Sequence, residues 1–140
     1  MFLVLLKFLH YLSIVFSGGV LVGGGLINSI FTKANQIPDK NLAKVLKLLG
    51  YIGLFSLILL WITGILLANI IYGGYSINSA FTVKIIGAAF LLILSFIVNI
   101  HVYNSSKNKQ TPNKVIMKIS TMSGRMLILI VLLSAAIAFN

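Results

Sequence analysis

Four long apolar stretches separated by short polar connections constrain this chain more than any other feature. They cover approximately 2–31, 48–72, 81–103 and 115–139. An α-helix needs about 20 predominantly apolar residues to cross the hydrocarbon core of a bilayer, so each stretch is long enough to span. Only 9% of the 140 residues are charged, against about 25% in soluble domains. We therefore predict an all-α membrane protein with a single domain over 1–140, an antiparallel bundle of four transmembrane helices.

Basic residues are concentrated in two of the three connections. The chain carries 11 basic residues, one acidic residue and a formal net charge of +10, and the middle connection, 73–80, is uncharged. Because Lys and Arg are retained on the cytoplasmic side, the first and third connections should be cytoplasmic and both termini should lie outside. The residues that predict this orientation are Lys33, Lys40, Lys44, Lys47, Lys107, Lys109, Lys114, Lys118 and Arg125.

The same distribution explains the positive charge without a nucleic-acid partner. A nucleic-acid-binding domain gathers its basic residues on a polar surface, whereas here they flank apolar spans and can contact lipid head groups. Cysteine is absent, which excludes disulfides, thiolate metal sites and cysteine nucleophiles. We expect a multi-pass protein of the bacterial inner membrane that contacts lipid and binds no nucleic acid.

Two prolines indicate where the second and fourth helices begin. Pro38 suits the first turn of a helix, and Asp39 falls in the same turn, where the helix dipole favours an anion. Pro112 has the same meaning in the third connection, with Thr111 as the expected N-cap. Both helices should therefore begin in the cytosol and enter the bilayer several residues later.

The first apolar stretch contains a histidine, His10, that lies well inside the span. A titratable side chain in lipid is costly, so it should face protein, water or a ligand. Ser13 and Ser17 follow His10 at steps of three and four residues, which places all three on one helix face. Small and polar residues collect at interfaces between membrane helices. This face of the first helix should therefore point into the bundle.

A second polar face runs along the third stretch through Lys84, Ser95 and Asn99. Depth decides which residues can cooperate with His10. His10 lies about 12 Å from the outer end of the first helix, and Lys84 lies near the outer start of the third. His101 is about 25 Å farther along the third helix than Lys84. A haem held by His10 and His101 together is therefore excluded, and His101 is expected to be an interfacial residue.

These positions predict a candidate cofactor site. His10 can ligate haem iron as a single axial histidine, and an inward Lys84 can pair with a porphyrin propionate. Lys7, one turn away, can serve the same anion, while Ser13 and Ser17 share the His10 face. His10 and Lys84 are also the candidate catalytic residues, and a porphyrin or a quinone is the expected small-molecule partner. In the alternative interpretation, His10 is a hydrogen-bonded buried imidazole and Lys84 snorkels to water.

Short motifs in three helices resemble those of small four-helix membrane proteins. The motifs are Lys7-Phe8-Leu9-His10 before a glycine-bearing stretch, Leu60-Trp61-Ile62-Thr63-Gly64, and Val83-Lys84-Ile85 with His101 near the end of that helix. They resemble the HemJ-type protoporphyrinogen oxidases and the membrane portion of CopD-type copper-resistance proteins. The HemJ resemblance implies that His10 and Lys84 serve haem b and porphyrinogen oxidation. The CopD resemblance implies copper handling.

Two functions of different classes follow. The first is an integral membrane haem-binding protein of redox or porphyrin-oxidation type, with oxidoreductase activity like that of the HemJ proteins. The second is a cofactor-free structural or assembly subunit. Its glycine-rich helix faces would dock against other membrane helices, in a partner protein or a second copy of the chain.

Overall fold

The computed structural model describes residues 1–34, 36, 38–74, 78–108 and 110–138, except for the side chain of Thr32. These residues form four α-helices, and each is long and apolar enough to cross a membrane. No strand occurs in the described ranges. The predicted four-helix all-α membrane bundle is confirmed. The helices are α1 (Phe2–Lys33), α2 (Lys40–Tyr72), α3 (Ser79–Lys107) and α4 (Lys114–Ala138).

The starts of α2 and α4 correct two details of the sequence analysis. Asp39 is the N-cap of α2 rather than a first-turn residue, and its carboxylate accepts a hydrogen bond of 2.8 Å from the backbone N–H of Leu42. At α4 the side-chain oxygen of Asn113 accepts from the backbone N–H of Val115 at 2.9 Å. Thr111 is not the cap, because α4 begins three positions after it and a capping oxygen must reach the first turn.

The N-cap of α3 also joins two helices. Asn78 Oδ1 accepts from the backbone N–H of Phe81 at 2.8 Å, and Asn78 Nδ2 donates to the carbonyl oxygen of Ala138 at 3.0 Å. The start of α3 is therefore tied to the end of α4. This bond fixes the relative height of the two helices at the end of the bundle that holds the uncharged connection.

Asn78→Ala should be more destabilising than Asp39→Ala. Losing an N-cap costs about 1 kcal/mol, and Asn78→Ala also removes the bond to Ala138, for a total of about 2 kcal/mol. Asn78→Asp keeps the capping acceptor and should recover about half of this loss. Thermal unfolding in detergent measures all three variants. Equal melting temperatures for Asn78→Ala and Asp39→Ala would show that the link to Ala138 adds no stability.

The helices are arranged as two hairpins. α1 packs most extensively along α2 and α3 along α4, whereas the α2–α3 and α1–α4 interfaces are smaller. α1 and α3 lie on a diagonal of the bundle, and so do α2 and α4. The predicted polar faces of the first and third helices therefore do not share a helix–helix interface.

The interior is built mainly from small and hydroxyl-bearing residues. Helices gain little from hydrophobic burial against each other in lipid, so close backbone approach and interhelical hydrogen bonds hold the bundle together. Large apolar side chains instead cover the outside of all four helices and form a lipid-facing surface. The buried polar side chains are Ser13, Ser17, Ser56, Thr63 and Ser134.

Candidate functional site

The His10 side chain of α1 is bonded to Thr63 of α2. The His10 Nδ1 and Thr63 Oγ1 atoms are 2.9 Å apart, and Thr63 is only 2% exposed. His10 lies about 12 Å from the start of α1, and Thr63 lies about 14 Å from the end of α2. Because the two helices are antiparallel neighbours, these similar depths place the two residues opposite one another.

The surroundings of Thr63 determine which atom carries the shared proton. Thr63 Oγ1 lies 2.7 Å from the carbonyl oxygen of Leu59 and 3.2 Å from that of Leu60. A hydroxyl has one proton, and a carbonyl oxygen can only accept, so the Thr63 proton is donated to its own helix. The threonine oxygen then accepts from His10 Nδ1–H. In the neutral imidazole the lone pair therefore resides on Nε2, the nitrogen that remains for a ligand.

Gly64 allows the imidazole to approach α2 this closely. A Cβ atom at position 64 would lie 3.3 Å from His10 Cε1, which is tighter than ordinary van der Waals contact. Gly64 follows Thr63 directly, so one pair of residues supplies both the acceptor for the ring and the room for it. The ring is thereby held in a defined orientation relative to α2.

Lys84 of α3 belongs to the same layer of the bundle. Its ammonium lies 5.4 Å from the centroid of the Phe81 ring. Gly87 approaches Val131 of α4, since a Cβ at 87 would be 2.8 Å from Val131 Cγ2. Lys84 precedes Gly87 by about one turn, and the buried Ser134 follows Val131 by about one turn. Because α3 and α4 are antiparallel, both residues lie on the same side of the Gly87–Val131 contact.

Each helix thus contributes one polar residue to a single level of the bundle. The four residues are His10, Thr63, Lys84 and Ser134, and we call them the polar layer. Their common level follows from the His10–Thr63 bond, the α1–α4 register at Gly25 and the α3–α4 register at Gly87. Sequence reasoning had paired His10 with Lys84 by depth, and these registers place the two at a similar level of the bundle.

The other three predicted site residues are placed differently. Ser13 and Ser17 are buried, as their shared face with His10 predicts. Their hydroxyls donate to carbonyl oxygens of their own helix, those of Leu9 and Ile14, at 2.7 and 3.3 Å. They can therefore only accept hydrogen bonds from a ligand. Lys7 is exposed on the surface of α1 and is not part of the polar layer.

His101 lies at the far end of α3, as its depth predicts. Its Nε2 accepts a hydrogen bond of 3.0 Å from the backbone N–H of Asn113. His101 thus satisfies an N–H at the start of α4 and ties the end of α3 to it. Because Nε2 acts as an acceptor, this imidazole has a role in the α3–α4 connection that is independent of His10.

Thr63 is the site residue that sequence reasoning missed. It was recognised as part of a motif in the second helix, but not as the partner of His10. The distances of residues from the helix ends contained the signal, because Thr63 is the hydroxyl residue of the second stretch that lies nearest the level of His10. Rotation of α2 about its axis decides which of its faces meets α1, and that rotation could not be inferred from composition.

The chemistry of His10 fits an axial haem ligand. The Nδ1–H donates to a fixed acceptor, which orients the ring and leaves Nε2 as a donor of electrons to a metal. The Lys84 ammonium adds a counter-charge for a carboxylate. A cluster of three or more His, Asp or Glu side chains that could hold a bare metal ion is not present among the described residues.

Two grooves on the described surface lie away from the polar layer. One, of about 230 Å³, is lined by a glycine-rich face of α1 and by Leu49 of α2. The other, of about 310 Å³, lies between α2 and α3 and is lined by Tyr51, Leu54, Phe96, Asn99, Ile100 and Tyr103. His10 lines neither groove.

Comparisons with known proteins found no relative of this chain. No family model, curated protein or solved structure matches this chain.

Proposed function

We propose that this chain is a multi-pass protein of the bacterial inner membrane that binds haem b through His10 and serves redox or porphyrin-oxidation chemistry. The observation that carries the proposal is the hydrogen bond between His10 Nδ1 and Thr63 Oγ1. It orients the ring and leaves Nε2 as the ligating atom.

The residues of the polar layer would have distinct roles. His10 Nε2 would ligate the iron, and Thr63 would be a positioning residue that fixes the orientation of the imidazole. Lys84 would pair with a propionate carboxylate. Haem supplies one-electron chemistry when bound, and a porphyrin or a quinone would be its redox partner.

The arrangement of the helices favours one route for a flat molecule to reach His10. Packing within each hairpin is extensive, and packing between the hairpins is less so. The interfaces between hairpins are therefore the ones that can widen at the lowest cost. His10 belongs to one hairpin and Lys84 to the other, so a ligand held by both would bridge them.

The test is the haem content of purified variants from a host with an adequate haem supply. His10→Ala should lose at least 90% of the bound haem, measured by the Soret band and by extraction of the haem, because the only proposed ligand is gone. His101→Ala is the matched control and should retain the wild-type content. Thr63→Val, which keeps the ligand but not its support, should weaken haem binding about 10- to 100-fold, whereas Thr63→Ser should resemble wild type.

Two results would contradict the haem proposal. Equal haem in wild type and His10→Ala would remove His10 as the ligand. A wild-type preparation without a Soret band would remove haem altogether and would favour the second candidate function, a cofactor-free subunit that docks other membrane helices.

One observation supports that second candidate. Gly19, Gly23 and Gly24 border the groove on α1, and a Cβ atom added at any of them would meet no atom within 4 Å. These glycines are not used to bring α1 close to another described helix. Glycines four residues apart on an open helix surface are typical of positions where a further membrane helix packs.

A further inference from the structure

A second charged group lies inside the bundle, far from the polar layer. Arg125 of α4 is half-buried, and its Nη2 atom is shielded from solvent without a hydrogen-bond partner among the described residues. A guanidinium carries five N–H donors, and a charged side chain inside a membrane is retained where it meets a counter-charge. One buried nitrogen of this cation therefore has no acceptor among the described residues.

The sequence cannot supply that partner from its own side chains. It contains one acidic residue, Asp39, and the carboxylate of Asp39 is exposed and caps the first turn of α2. The hydroxyl of Thr121, one turn from Arg125, donates to the carbonyl oxygen of Met117 at 2.7 Å. The counter-charge of Arg125 should therefore come from outside the chain.

The neighbours of Arg125 show which helix interface its side chain faces and how deep it lies. A Cβ atom at Gly25 of α1 would lie 2.7 Å from Thr121 Cγ2 and 3.1 Å from Arg125 Nη2. The guanidinium thus packs against a bare stretch of α1 backbone, in the smaller of the two interfaces between hairpins. Gly25 lies about 12 Å along α1 from Lys33. Arg125 therefore lies well inside the bundle, away from the end that carries the lysines.

Further basic residues lie between that end of the bundle and Arg125. Lys114, Lys118 and Arg125 follow one another at steps of four and seven residues, so they share one face of α4. Both lysines are exposed. The Gly25–Thr121 contact sets the register, which brings Lys33 at the end of α1 level with the start of α4. Basic side chains therefore follow the α1–α4 interface inward from its end, and we call Lys33, Lys114, Lys118 and Arg125 the basic face of this interface.

The apolar surroundings distinguish a lipid from a soluble anion. Leu129 and Leu133 continue the Arg125 face toward the opposite leaflet and are 59% and 64% exposed. Leu26 of α1, beside Gly25, is 52% exposed. A molecule with an anionic head and long apolar chains can thus place its head at the basic face and its chains along these leucines. Basic pockets between membrane helices bind anionic lipid head groups in this way.

We propose that the basic face of the α1–α4 interface binds the phosphate of an anionic phospholipid, with the Arg125 guanidinium as the anchoring residue at its inner end. The site lies in the leaflet on the side of the lysine-rich connections. It is separate from the polar layer, so it does not depend on whether His10 binds haem. Free phosphate offers the same anionic chemistry without the acyl chains.

Native mass spectrometry of the full chain in detergent tests this assignment, with phosphatidylglycerol and phosphatidylcholine as the added lipids. Wild type should retain phosphatidylglycerol in preference to phosphatidylcholine. Arg125→Gln should weaken that retention at least about tenfold, since a charge-assisted bond in a water-poor site is lost. Lys118→Gln, on the same face, should show a smaller loss. Lys44→Gln removes one exposed charge from α2 and should retain wild-type binding.

Three outcomes would overturn the proposal. Equal losses for Arg125→Gln and Lys44→Gln would show that the charge of the whole chain, rather than a site, attracts the lipid. Equal thermal stabilisation of wild type by inorganic phosphate and by phosphatidylglycerol would replace the lipid with a soluble anion. If Arg125→Gln does not accumulate, unchanged lipid retention in Lys118→Gln would be the contradicting result.

Discussion

A cysteine introduced at Gly74 is expected to react almost completely with a membrane-impermeant maleimide added to intact bacterial cells. A cysteine at Gln36 or Gln110 should react only after the cells are opened. The lysine-rich connections that contain Gln36 and Gln110 should be held in the cytoplasm, because moving several lysines across the bilayer is opposed by their charge. The uncharged connection that contains Gly74 then lies outside.

The chain is well suited to this labelling experiment. It has no cysteine of its own, so every label reports the introduced residue. Gly74 has no atom within 4 Å of an added Cβ, and Gln36 and Gln110 are exposed. Labelling of all three variants in opened cells is the control for thiol reactivity. Protection of Gly74→Cys in intact cells, with Gln110→Cys labelled, would mean that the orientation is inverted.

Gly53→Leu is expected to be strongly destabilising and to prevent the α1–α2 hairpin from closing. Even the Cβ atom of alanine at position 53 would lie 2.9 Å from Val20 Cγ1. Valine is β-branched and has one strongly preferred rotamer in a helix, so it cannot move aside. Overpacking of this kind costs about 1–3 kcal/mol for small insertions, which is the expected loss for Gly53→Ala, and leucine adds a much larger volume. Thermal unfolding in detergent measures both variants.

Two further variants separate overpacking from a general effect of replacing glycine. Gly19→Ala is the matched control, because a Cβ there meets no atom within 4 Å. It should be neutral or stabilising by up to about 1 kcal/mol, since alanine favours the helix. Val20→Ala combined with Gly53→Ala should recover much of the loss. Similar destabilisation by Gly19→Ala and Gly53→Ala would contradict the close approach at Gly53.

The fold was predictable because the strongest signal in the sequence is also the main physical constraint. Backbone groups in hydrocarbon must bond within a helix or a closed barrel, so four apolar stretches of spanning length give four helices. The helices extend beyond those stretches at their charged ends, with α2 beginning at Lys40 and α3 ending at Lys107. Hydropathy marks the part that lies in lipid, whereas helical hydrogen bonding continues through flanking lysines.

The candidate site was predictable in depth but not in its side-chain partners. A rise of about 1.5 Å per residue places His10 and Lys84 near the same level and separates His101 from both. That arithmetic contains no information on helix rotation or on the order of helices around the bundle. For this reason Thr63 was not recognised as the partner of His10. The interhelical role of Asn78 was missed for the same reason.

The division into two hairpins has a consequence for how the molecule is made. Each hairpin has its own lysine-rich connection and closes its main interface without the other, so each can enter the membrane as a pair of helices during synthesis. The stretch 73–78 joins two units that are already assembled. Residues 1–74 and 78–140, produced as separate polypeptides, should therefore find each other in the bilayer and reconstitute the bundle.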